Sequence, residues 1–420
     1  MKIVEVLREK QRLAQFSSRI KNNCKTAVSL LQDYKGTEPF AGYLKKFFAA
    51  DKKYGSRDRK YISSLCYYYF RLGKAVSSLP VEERIYLGIF LCEQTNNELL
   101  AVWKPEWNDH MADPLSQKIS IAGQSFSTPD MFPFEELLSP TVDANAYAAS
   151  FLVQPDLYAR LRQKRRESLV QKLHKSGLPF EMKDEDCISL HNGTNTEALF
   201  ATDREAVIQD YNSQQVLNYL KLPEVQASLE PFYKFRHENR HTRMIDAWDC
   251  CAASGGKSIL LYDILNRTVK PTVSDIRMPI LLNLHQRFKK AGIRSYDYFI
   301  GDLEKNVLPE ITNAPFPIII CDAPCTGSGT WGRTPEQLFY FKKELVDLYS
   351  EKQKAIVTNA IPFLAQDGLF FYITCSVFQK ENEAIAEFIR STTPLVLLHM
   401  ETLKGYDKKA DTMFVAIFRK

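Results

Sequence analysis

The sequence predicts an α/β protein with a doubly wound parallel sheet in its C-terminal half, an all-α N-terminal region and a small α+β region between them. Three observations carry this. From about residue 240 onward, apolar runs of strand length alternate with amphipathic stretches of helix length. From residue 1 to about 110, apolar residues recur at three- and four-residue steps instead. Acids, glycines and cysteines gather directly after the strand-like runs, where ligands of open parallel sheets bind. The chain has 420 residues, 45% of them hydrophobic and 25% charged, which suffices for two or three domains with full cores.

Taken in order, AVSLLQDYKGTEPFAGYLKKFFA and KYISSLCYYYFRLGKAVSSL read as helices. Between them Lys52 to Lys60 form a basic turn with Ser56 as the expected N-cap. Its Arg57 and Arg59 are either part of a solvated cap or contacts to RNA phosphates. Residues 111 to 145 are rich in Pro, Ser and Asp and read as a long connector. Tyr158 to Gly177 form a basic segment with a helix in it. Its Arg160, Arg162, Lys164, Arg165 and Arg166 are open to two readings, nucleic-acid contact and simple solvation. The expected domains are 1–140, helical with the connector, 141–235, small and basic, and 236–420, the doubly wound sheet.

In the last region MIDAWDC, PTVSDI, SYDYFIGDL, PFPIIICDAP, GLFFYITCS and MFVAIF are the expected strands. At their ends stand Asp249, the Cys251–Lys257 loop, Asp275, Asp302, Asp322 with Cys325, and Cys375. The loop ends in Gly-Lys-Ser like a phosphate-binding loop. Counting back from Gly256, however, Cys251 occupies the position where that motif needs Gly, so a nucleoside triphosphate is disfavoured. Gly255 and Gly256 still let a ligand lie against the main chain at a helix start. Asp275 follows at the interval of a ribose-binding acid, yet no Gly-x-Gly-x-x-Gly precedes it. A nucleoside cofactor without a pyrophosphate fits, and S-adenosylmethionine is one. The nine cysteines lack zinc-loop spacing, so no metal is expected and the thiols read as free. Net charge is +5, and no run approaches the length of a membrane span or a signal-peptide core. The chain is therefore expected to be soluble, cytoplasmic and monomeric.

The segments DCCAASGGKS, CDAPCTGSGTWGRTPEQL and FYITCSVFQKENE resemble the motifs of the Sun/Fmu (Nop2/NSUN-type) RNA cytosine-5 methyltransferases. AVIQDYNSQQVLNYL resembles the family's lead-in to the catalytic domain, and GSRDRKYISSLCYYYFR its helical NusB-like extension. The resemblance implies a Rossmann-like methyltransferase sheet, S-adenosylmethionine as methyl donor, and RNA as partner. Ribosomal RNA (16S) comes first, with transfer RNA or a non-catalytic assembly role as alternatives. It further implies Cys375 as the nucleophile adding to C6 of cytosine, with Cys325 assisting breakdown of the adduct. Asp322 would hold the cytosine edge, and Lys257 would stand beside the base. The stretch Cys251, Ala252, Ala253, Ser254, Gly255, Gly256 would take the methionine part of the cofactor, Asp275 the ribose and Asp302 the adenine amine. Asp210 would be a supporting acid. Ser254 stands where the family has Pro, which is expected to loosen the loop, and Arg277 matches no family arginine.

Overall fold

A computed structural model describes residues 2–123, 126–240, 243–306, 308, 311 and 314–420. The chain forms two compact units. One comprises residues 1–135, 144–154 and 331–341, and the other residues 136–143, 155–330 and 342–420.

The first unit is helical. Its principal helices are Lys2–Asp33, Phe40–Ala50, Ser56–Arg71 and Val81–Cys92. Phe40, Leu44, Ile62, Leu65 and Phe70, placed at helical spacing, are among its buried residues, with Phe40 and Phe70 in edge contact at 5.0 Å. Buried Arg84 is satisfied by the carbonyls of Tyr69, Gly73 and Ala75. Ser56 is the first helical residue and not the cap, a place taken by Gly55 without a side-chain bond. The expected connector also holds helices, Leu115–Ala122, Thr128–Met131 and Ala144–Ser150, while its Gln124 and Ser125 lie outside the described residues. Pro114 and Pro129 sit just before or inside helix starts there, where a missing N–H costs nothing, so Pro-rich sequence does not mean irregular chain.

The second unit holds two sheets. The smaller contains β1 (Leu157–Leu161), β2 (Phe180–Asp184), β3 (Cys187–Leu190) and β4 (Ala206–Ile208), in the order β2-β3-β1-β4 and antiparallel throughout. The larger contains β5 (Ile245–Asp249), β6 (Val269–Asp275), β7 (Asp297–Ile300), β8 (Phe316–Asp322), β9 (Leu364–Thr374), β10 (Val396–Leu403) and β11 (Met413–Arg419). Their order is β10-β11-β9-β8-β5-β6-β7. β5 to β9 pair in parallel, and the last two strands add antiparallel. Central strands such as β8 (FPIIICD) are apolar almost throughout because both faces are covered. The order reverses between β5 and β8, and the crevice at that switch point is where such sheets take ligands. All six expected strands are present. The seventh, β10, lies at the sheet edge with a half-exposed face, so its sequence carries no buried run to mark it.

The two sheets are joined by a charged clamp. Arg160 and Arg162 on and beside β1 are buried at 6% and 5% exposure, and both pair with Asp263 on the helix Gly256–Ile264, at 2.8 and 2.6 Å. Arg162 also donates to the carbonyls of Asp203 and Ala291. Neither arginine can face RNA, which corrects the expectation for these two positions. The sequence shows their charge but not the acid, 103 and 101 residues away, that draws them inward. Removing one partner of a buried pair strands the other charges, so Asp263→Ala should lose about 3–5 kcal/mol in urea unfolding. A change within roughly 0.5 kcal/mol, the size of an ordinary surface effect, would contradict the clamp.

Candidate active site

The loop after β5 is shaped by its main chain. Gly255 has φ of 81°, and a Cβ there would lie 2.8 Å from Phe288 and 2.9 Å from Leu284, so only glycine serves. Ala253 also has positive φ, 45°, and its N–H donates to Asp275 at 3.1 Å. Ser254 is not loose, contrary to expectation. Its carbonyl and hydroxyl both accept from Arg287 at 3.0 Å, and Arg287 is itself paired with buried Asp203. Gly256 begins the helix that carries Lys257 and Ser258.

Along the neighbouring strand ends, Asp275 accepts from the backbone and side chain of Arg277. Burial alone would raise its carboxyl, but the Arg277 bonds outweigh this and hold it below the usual value. Arg277 therefore anchors Asp275, a role its sequence position did not reveal. Asp302 caps the following turn through the Glu304 N–H at 3.1 Å. These acids, Ile276, Ala253 and the two thiols described next line one cleft of about 500 Å³, ample for a nucleoside-sized ligand.

At the end of β8, Asp322 accepts from Lys257 Nζ at 2.5 Å. Burial would lower the Lys257 ammonium, but the Asp322 charge and hydrogen bond raise it, so it stays protonated. Three residues beyond Asp322, Cys325 Sγ comes within 3.4 Å of Cys375 Sγ from the end of β9. Both thiols line the cleft and are partly exposed. Cys325 is pushed well above the usual thiol value by its bond to Cys375 and by burial.

The thiol loops meet on Glu381, a fully buried residue for which the sequence suggested no role. Its carboxylate accepts from the N–H and hydroxyl of Thr326 at 2.8 and 2.6 Å, and from the Ser376 hydroxyl. Ser328 bridges the same loops, accepting from Val377 N–H at 2.9 Å. Gln353 fixes the Pro324 carbonyl at 3.0 Å. At Gly329 a Cβ would come 2.0 Å from the Thr412 carbonyl and 3.0 Å from the Cys375 carbonyl, which also accepts from the Gly329 N–H at 2.9 Å, so the chain packs there as closely as only glycine allows. Burial raises the Glu381 carboxyl while its three side-chain partners oppose the shift. The only sequence sign was Glu381's place in the segment QKENE after the second thiol.

The remaining expected residues divide. Asp210 caps the helix Tyr211–Gln215 and accepts from Asp411 N–H at 3.0 Å, a structural role. Lys164 and Arg165 are exposed, whereas Arg166 is tied to Glu185. In the helical unit Arg57 is exposed, and Arg59 lies over Phe48 and donates to the Tyr54 carbonyl.

Comparison with known proteins gives this geometry a setting. Residues 237–417 match the family described as 16S rRNA methyltransferase RsmB/F. The ribosomal RNA small subunit methyltransferase F of Escherichia coli O17:K52:H18 is 25% identical over 194 residues, 46% of this chain and 39% of that protein. The probable ribosomal RNA small subunit methyltransferase B of Bacillus subtilis is 26% identical over 267 residues, 61% of this chain and 55% of the relative. The matched regions thus span only about half or less of these relatives' lengths, 55% and 39%. Among solved structures, PH0851 superposes with a TM-score of 0.66 at 15% identity, covering 95% of this chain and 98% of its own. NSun6 from Pyrococcus horikoshii, solved with SFG, gives 0.53 at 16% identity over 70% of this chain and 96% of its own. These two show the shared fold.

One acid in this site has a measurable consequence for stability. Asp249 accepts from Ser258 Oγ at 2.5 Å through Oδ2, while its buried Oδ1 has no hydrogen-bond partner among the described residues. Burial raises its carboxyl from 3.8 to about 7, against the Ser258 bond. The folded chain thus holds this proton more tightly than the unfolded one. The resulting stability is full below the unfolded value and is lost as pH rises through about 7. Between pH 5 and 8 the wild type should lose about 2–3 kcal/mol that Asp249→Asn retains, read from urea unfolding at both pH values. Equal pH slopes in the two proteins would refute it.

Proposed function

We propose, from the match of residues 237–417 to the family described as 16S rRNA methyltransferase RsmB/F, that the protein methylates C5 of a cytosine in small-subunit ribosomal RNA through a covalent thiol adduct. The observation that carries this is the pair of thiols 3.4 Å apart, open to a cleft beside the Lys257–Asp322 pair. A single thiol would suit many roles. Two in contact suit a reaction that must both form and break a sulfur–carbon bond.

The cleft suits S-adenosylmethionine. Close main-chain approach at Gly255 and Gly256 would take the methionine part, and Asp275 and Asp302 would accept from ribose hydroxyls and the adenine amine. Bound there, the cofactor supplies an electrophilic methyl group on a sulfonium. Cys375 acts on the other substrate. Its thiolate adds to C6 of cytosine, and the C5–C6 electron pair becomes the nucleophile that C5 lacks in the free base. Cys325, which keeps its proton, remains a neutral neighbour during addition, and the 3.4 Å contact lets it act when the adduct collapses. A base in the cleft then takes the C5 proton, and the electrons of that C–H bond restore the C5–C6 double bond and expel the Cys375 thiolate. Asp322, held by Lys257, faces the same cleft and can orient the cytosine edge. The base cannot be reached inside a duplex, so the target is unpaired or flipped out. Exposed Arg57, Lys164 and Arg165 are the proposed phosphate contacts.

The test is methyl transfer from labelled S-adenosylmethionine to undermodified small-subunit ribosomal RNA and to transfer RNA, with digestion to nucleosides. Label should appear in 5-methylcytidine from ribosomal RNA and fall by about 10³-fold or more in Cys375→Ala. Cys325→Ala should accumulate a protein–RNA adduct. Full activity of Cys375→Ala, or label in another nucleoside, would overturn the reading. Label confined to transfer RNA would overturn the substrate.

A further inference from the structure

We propose that Cys250, Cys251 and Cys321 form a binding site for a divalent thiophilic metal ion at the root of the β5 loop, apart from the Cys325–Cys375 pair. The three sulfurs come from two adjacent strand ends, held in register by the Cys250 N–H bond to the Ile320 carbonyl at 2.9 Å. They all lie within 4.8 Å of one another, and among the described residues they are the cluster of ligand side chains able to surround one ion.

The geometry is what such an ion needs. Metal–thiolate bonds of about 2.3 Å separate the sulfurs of a trigonal or tetrahedral site by roughly 3.8–4.0 Å, within the observed spread. Thiolates select soft d10 ions over magnesium or calcium, which take oxygen. The charge balance favours a divalent ion, since three thiolates then leave one net negative charge and a monovalent ion would leave two. Access comes from the cleft, because Cys250 and Cys251 line it and Cys251 is partly exposed, whereas Cys321 is closed off at 0% exposure. Solvent on that open side can complete a fourth position. Binding forms three metal–sulfur bonds, and the protons still on the thiols leave to solvent.

The surrounding sheet makes the site rigid. Cys250 and Cys321 are packed in one apolar cluster with Trp248 and Tyr372, so their sulfurs need not be gathered on binding. An ion there would tie the loop that runs through Ala252 and Ala253 to β8, linking its occupancy to the cleft. The sequence predicts no metal, because the spacing within Cys250-Cys251 and the gap to Cys321 match no zinc-loop pattern; the fold is what brings the three thiols together.

The test is titration of the reduced, metal-free full chain with cadmium, following thiolate-to-metal charge-transfer absorption. One ion per chain should bind with a band of three-thiolate size. That signal should persist in the double variant Cys325→Ser/Cys375→Ser and weaken at least 100-fold in affinity in Cys250→Ala and in Cys321→Ala. Because Cys321→Ala alters a buried strand, the cadmium-113 resonance of the unsubstituted protein provides a second count of sulfur ligands, with three expected. Absence of binding, a two-sulfur site, or loss of the site in the Cys325→Ser/Cys375→Ser protein would each overturn the proposal. The readout is binding alone, so it is independent of whether the protein methylates RNA.

Discussion

Two loops end β8 and β9, and each carries a sulfur that meets the other at 3.4 Å. A carboxylate sealed from water at 0% exposure holds them together. Glu381 accepts from Thr326 on one loop and from Ser376 on the other. A buried acid is costly unless its lone pairs are met, so this network is stable only when both loops are in place. One residue on, Asn382 fixes the β9 loop itself, accepting from Thr374 at 2.6 Å and donating to the Ser376 carbonyl at 2.9 Å. The 3.4 Å contact of Cys325 and Cys375 is thus a consequence of polar satisfaction behind the site.

The topology supplies the rest. Parallel strands β5, β6, β7, β8 and β9 all end on one side, so five separate loops converge without a long excursion from any of them. Apolar faces on both sides hold the strands, while the loops carry acids, thiols and strained main chain. The Arg287 bridge from Asp203 to Ser254 shows the small sheet's side of the chain bracing the β5 loop directly. The clamp on Asp263 braces the helix that begins with that loop. The basic segment around Arg160 thereby contributes to the site through rigidity at its inner end and exposes charge only from Lys164 onward.

Much of this was legible because its physics is local. Alternating strand and helix periods gave the large sheet, and positive-φ glycine chemistry explains Gly255 directly from its motif. Acids and thiols stand directly after strand-like runs, so their gathering at one edge of the sheet is legible without any distance. What escaped was non-local. Edge strand β10 has no buried run, Glu381 acts on Thr326, 55 positions away, and Arg160 and Arg162 look solvent-facing until Asp263 is placed opposite them. Ser254 looked like a weakened turn because its partner Arg287 lies on another helix. The Pro-rich stretch misled for the opposite reason: proline at a helix start is favourable, and composition does not record position.

The central claim is that Cys375, and not Cys325, bonds to the base. The most direct measurement uses target RNA in which the reactive cytosine bears fluorine at C5, so that no C5 proton can leave and the adduct persists. Protein, cofactor and this RNA would be incubated, digested and mapped by mass spectrometry. The account predicts a nucleotide on the peptide containing Cys375. A nucleotide on the Cys325 peptide, or no adduct with RNA that is otherwise methylated, would contradict it.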